Sequence, residues 1–120
     1  MTYAFSFGFL VTDEKGSPTV GGELEQVVDE LMGVMLARET DLVFDASVGA
    51  TITAGEVDVD ISVALEDEVA AAAVARDFVI ETLRAIGGTP MGIFVFPPSA
   101  EPPPGPRQQW HERKAEITIA

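Results

Sequence analysis

The chain has 120 residues, 47% of them hydrophobic, with 20 acidic side chains against 7 basic ones and no cysteine. That length supports one compact core, and the apolar content is too high for a disordered acidic tail. The missing cysteines exclude a disulfide scaffold and a thiolate metal site, while a formal charge of −13 repels phosphate backbones and anionic lipid, so neither nucleic acid nor a membrane surface is an expected partner.

Taken in chain order, Tyr3, Phe5, Phe7, Phe9 and Val11 alternate with Ala4, Ser6, Gly8 and Leu10. A period of two places every large ring on one face of a strand and small residues on the other. The apolar run has no basic residue before it and is far shorter than the ~20 residues that span a bilayer, so a cytoplasmic location is expected. Asp13 to Pro18 then carry loop chemistry, and Gly21 and Gly22 lead into a segment of different period. From Glu23 to about Arg38, Leu24, Val27, Val28, Leu31 and Met35 recur at three and four, which predicts an amphipathic helix.

Two antiparallel strands are predicted next, joined by a turn centred on Ala54 and Gly55. In that register Ile52 faces Val57, Ala50 faces Val59, Val48 faces Ile61, Ala46 faces Val63 and Phe44 faces Leu65, and all five pairs are apolar. Thr51 with Asp58, Gly49 with Asp60 and Ser47 with Ser62 fall on the opposite, polar side. A one-residue slip would destroy this sorting. Because Ala-Gly is not the preferred hairpin pair, a longer loop of the same parity is the alternative. Glu66, Asp67 and Glu68 open a second helix whose apolar stripe runs through Val69, Ala72, Ala73, Val79, Leu83 and Ile86, with Gly87 and Gly88 as terminators. Gly92 to Phe96, without a polar side chain, reads as a last core strand.

The order strand, helix, strand, strand, helix, strand predicts an α+β, ferredoxin-like domain over residues 1–96. Two helices would cover one face of a four-stranded antiparallel sheet, with the fourth strand beside the first. Six of the eight prolines fall between Pro97 and Pro106, and a stiff, extended linker is expected there. Residues 107–120 form a tail in which Ile117 and Ile119 alternate with Glu116 and Thr118, a candidate fifth strand able to reach an edge of its own sheet or of a neighbour's. Residues 1–96 hold 17 acids and only Lys15, Arg38, Arg76 and Arg84, whereas residues 97–120 balance three acids with three bases.

Candidate sites are sparse. Asp45, Glu56, Asp58 and Asp60 form an acidic face, because alternate residues of one strand project together. A cation site there would need six to eight converging oxygens, which a flat sheet does not offer, so a solvated polar face is the expected role. The glycine pair before the first helix matches neither dinucleotide nor nucleoside triphosphate loops. His111 is the only histidine, which leaves no metal site of two imidazoles, and Trp110 beside it reads as a packing anchor for the tail. No cofactor is expected. The leading expectation is a non-catalytic, self-associating interaction or regulatory domain, a homodimer that binds a protein or small ligand. Its surface would be the open sheet face and tail, with Leu10, Ile93, Val95, Trp110, Ile117 and Ile119 at the interface. The alternative is a small enzyme or ligand-binding protein with a pocket between the two sheets of a dimer, lined by Tyr3, Ser6, Asp58, Asp60 or His111.

Overall fold

A computed structural model describes residues 2–91 and 108–119. Its elements are β1 (Thr2–Thr12), α1 (Gly21–Arg38), β2 (Val43–Thr51), β3 (Glu56–Ala64), α2 (Glu68–Ala85), β4 (Thr89–Met91) and β5 (Gln109–Ile119). The rings of Tyr3, Phe5, Phe7 and Phe9 are buried together with Val57, Val59, Ile61 and Val63 of β3. Leu24, Val27, Leu31 and Met35 of α1 and Ala71, Ala75, Phe78, Val79 and Leu83 of α2 close over them. Both helices therefore lie on the aromatic face of the sheet, as the period-two pattern of β1 requires. Asp67 caps α2, its carboxylate accepting from the Ala70 amide at 3.1 Å.

The sheet departs from the four-stranded antiparallel expectation. It has five strands in the order β2-β3-β1-β5-β4, and β4 runs parallel to β5. The tail strand occupies the place beside β1 that the sequence reading gave to Gly92–Phe96 and pairs with β1 from Tyr3–Ile119 to Thr12–Gln109. Gly92–Phe96 and the proline-rich stretch 97–106 lie outside the described residues. The physical reason for the exchange is Trp110. It is fully buried, meets Phe9 edge to face at 5.7 Å, and lies directly over Gly88. An indole fills that space at the end of α2, and burial of so large a side chain holds β5 in the sheet interior.

The β2–β3 hairpin keeps the predicted parity but not the predicted register. Ala50 lies opposite Val57 and Val48 opposite Val59, two residues from the expected pairing, because the connection spans four residues, Ile52 to Gly55. Gly55 closes that loop at φ 72°, and its carbonyl accepts from the Val11 amide at 2.8 Å. Farther along β2 the register shifts between Phe44 and Ser47. The extra residue there is Asp45, in the left-handed region at φ 53°, a conformation that aspartate tolerates better than most residues. The bulge turns Val43 rather than Phe44 into the core, opposite Val63. Glu39 Oε1 accepts from the Ala46 amide at 2.7 Å, which satisfies a donor beside the bulge.

The stripe of α2 is also rotated from expectation at its start. Ala71 and Ala75 are buried, whereas Val69 is 77% exposed.

A methyl group on Gly88 would stand 2.5 Å from Trp110 Nε1 and 3.1 Å from the Leu83 carbonyl oxygen. Gly88→Ala is accordingly expected to destabilise the protein by about 1–3 kcal/mol through overpacking. Gly33→Ala, in α1 with nothing within 4 Å of the new methyl, should instead stabilise by roughly 0.5–1 kcal/mol. Urea unfolding of the two variants beside the parent chain measures both signs.

Candidate functional site

Two surfaces carry most of the predicted site residues that fall within the described part of the chain, one on each side of the sheet. On the helix-free side, β3 presents Glu56, Asp58 and Asp60, all exposed. Asp58 lies between Gly8 and Gly49, and Asp60 between Ser6 and Ser47. Small neighbours leave these carboxylates in water, where like charges two residues apart cost little. The β2 bulge carries Asp45 to the rim of a shallow depression of about 150 Å³ that it shares with Ser6, Asp60, Ser62, Glu116 and Thr118. Glu56 lies at the other end of β3. Among the described residues no group of three or more His, Cys, Asp or Glu side chains is arranged to hold a metal ion. The half-buried His111 has its Nε2 2.9 Å from Thr12 Oγ1, and it lies across the strand from Leu10.

The second surface lies on the helix side, where β5 runs beyond the shelter of α2. A groove of about 280 Å³ separates the first half of α2 from β5. Phe5 and Phe7 line it with Val69 and Ala72 from the helix and Ala115 and Ile117 from the strand. Arg76, which also lines the groove, places its guanidinium 5.9 Å from the Phe7 ring centroid and donates to Glu112 Oε1 at 3.2 Å. Glu112 enters the helix side because β5 has a register shift opposite Gly8 and Phe9 that leaves Arg113 as the extra residue. Its side chain is 2% exposed, and its Oε2 is buried without a hydrogen-bond partner among the described residues. Burial pushes the Glu112 carboxyl above its usual range, and Arg76 pulls it partly back.

Beside this groove β5 has a free edge. β4 covers only Gln109, Trp110 and His111, and from Glu112 to Ile119 the outer edge has no strand neighbour among the described residues. Ile117 is 37% exposed and Ile119 71% exposed.

The predicted residues therefore divide. Asp45 and Asp60 come together, with Glu116 as an unforeseen neighbour, while Glu56 stays apart. Ile117 flanks the groove, and Ile119 follows it on the same side of the same strand. Trp110, expected at the interface as well as anchoring the tail, is a core residue of its own chain, shut away from any partner by Phe9 and Gly88. Ile93 and Val95 lie outside the described residues. Sequence reasoning missed the Arg76–Glu112 pair, whose members are separated by 36 positions and meet only because β5 is internal. No family model, no curated protein and no solved structure matches this chain, so the functional reading rests on geometry.

The buried glutamate makes stability depend on pH. A carboxyl whose folded pKa is raised binds its proton more tightly in the native state than in the unfolded one, so its contribution falls as pH rises from the ordinary value of 4.5 through the folded pKa. Urea midpoints measured from pH 4 to pH 8 should show this loss for the parent chain, and Glu112→Gln should remove that component of the slope.

Proposed function

We propose that this protein is a non-catalytic, self-associating interaction domain, and that the outer edge of β5 with the adjoining groove is its association surface. The observation that carries the reading is a strand edge, open from Glu112 to Ile119 among the described residues, beside exposed Val69, Ile117 and Ile119. Unpaired backbone N–H and C=O groups in a row are a template for another strand, and an apolar strip beside them supplies burial.

Charge supports the same location. The chain carries −13 overall, yet around the groove and along β5 the acids Glu68, Glu112 and Glu116 are balanced by Arg76, Arg113 and Lys114. Two copies that repel elsewhere can approach along this neutral strip. The helix-free face is less suited to self-packing. A face-to-face dimer would oppose Asp45, Glu56, Asp58, Asp60 and Glu116 to their own kind, and Tyr3, offered to a pocket there, points to the core and donates to the Glu66 carbonyl at 3.2 Å. Left free by edge association, that anionic face favours basic partners over acidic ones.

Light scattering on the full chain at tens of micromolar should give the mass of two chains. Ile117→Lys, which places a charge in the groove, should lower it to one chain, while Asp58→Asn on the opposite face leaves it at two. Added salt should strengthen association, because it screens the net repulsion. A parent chain that scatters as a monomer under these conditions overturns the proposal.

A further inference from the structure

We infer that the occupant of the β5 edge is β5 of a second copy, paired antiparallel about a two-fold axis at Ile117, so that the five strands of each copy join in one continuous sheet. This rests on the self-association reading and adds the partner strand and its register.

A symmetric dimer uses the same patch twice. With the two-fold axis perpendicular to the sheet, the strands run antiparallel and both pairs of helices stay on one side. Directly opposed residues must then point to the same face, since neighbouring side chains in a ladder do. On β5 the helix side carries Ala115, Ile117 and Ile119, opposite Phe7, Phe5 and Tyr3, and the other side carries Lys114, Glu116 and Thr118, opposite Gly8, Ser6 and Ala4. Two features limit the overlap. β4 occupies the edge at Gln109 to His111, and the bulge at Arg113 ends the regular run. Only residues from Lys114 onward are free to pair in a regular ladder.

Four axes pair three or more residues within these limits, and the one centred on Thr118 keeps only Ile117 to Ile119. Centred on Ala115, the ladder would keep only Lys114 to Glu116 in regular pairing before meeting the bulge of the other copy. Centred on Glu116, it would place two glutamates face to face, and like charges directly opposed are unfavourable. Centred on Ile117, it opposes Ile117 to Ile117 and Ala115 to Ile119 on the groove side, with Glu116 opposite Thr118 on the other. Among the described residues this run, Ala115 to Ile119, equals the one centred on Glu116 and exceeds the others. It opposes Ile117 to itself with Ile119 at the diagonal, and opposes no like charges.

The chain has no cysteine, so single cysteines report the register without background. Opposed residues in an antiparallel ladder have Cα atoms about 4.5–5.5 Å apart, within disulfide reach. Under mild oxidation of the full chain, Ile117→Cys should form the covalent dimer at least tenfold faster than Glu116→Cys or Ala115→Cys alone. A mixture of Ala115→Cys and Ile119→Cys should form the mixed dimer. That second experiment keeps the test valid if Ile117→Cys loses its native circular dichroism. Fastest cross-linking through Glu116→Cys or Ala115→Cys overturns the register and leaves self-association standing. A two-chain mass with no cross-link from any variant overturns edge pairing itself, and a one-chain mass overturns the underlying reading as well.

Discussion

The seat of Trp110 over Gly88 and against Phe9 is the constraint on which the rest of this molecule depends. It carries the largest fully buried side chain of the described core, and it pins the start of β5 between β1 and β4. With that point fixed, the alternation of β5 follows. Ala115, Ile117 and Ile119 share the side of Phe7, Phe5 and Tyr3, and Arg76 reaches Glu112. A burial of 150–250 Å² by one indole outweighs the modest contribution of any ion pair in the structure.

An internal β5 has a geometric consequence. Helix α2 ends over the buried start of β5, where Gly88 meets Trp110, while its first turns stand beside residues 115–117 of that strand across an open groove. The later part of β5 is therefore left open on its helix side. The exposure of Val69 follows from the same placement, since the first turn of α2 lines this groove rather than the core. The proposed association surface thus follows from where Trp110 seats β5 against α2, and needs no dedicated motif.

Electrostatics then sorts the faces. Acids on β3 stand over glycine and serine and stay hydrated, which keeps the helix-free face open and anionic. Glu112 is the exception. A buried carboxylate with one oxygen on Arg76 and the other without a partner among the described residues is held where full ionisation is costly. It joins α2 to the tail strand beside the groove that Arg76 lines.

Periodicity alone made β1, both helices and the two faces of the β2–β3 hairpin legible, because burial on one side imposes period two or 3.6 whatever the partner element is. The exact register of that hairpin was not legible. A shift of two residues preserves the sorting of faces, and the choice was made by a four-residue loop closed at Gly55 and a bulge at Asp45. The α+β class, the acidic face and the neutral, alternating tail were all in the sequence. Which strand lies beside β1 was decided by tertiary structure. Local pattern favoured Gly92–Phe96 for that place and left the alternating tail to an edge, and the fit of Trp110 to the space above Gly88 is a contact between positions distant in sequence that no local pattern encodes.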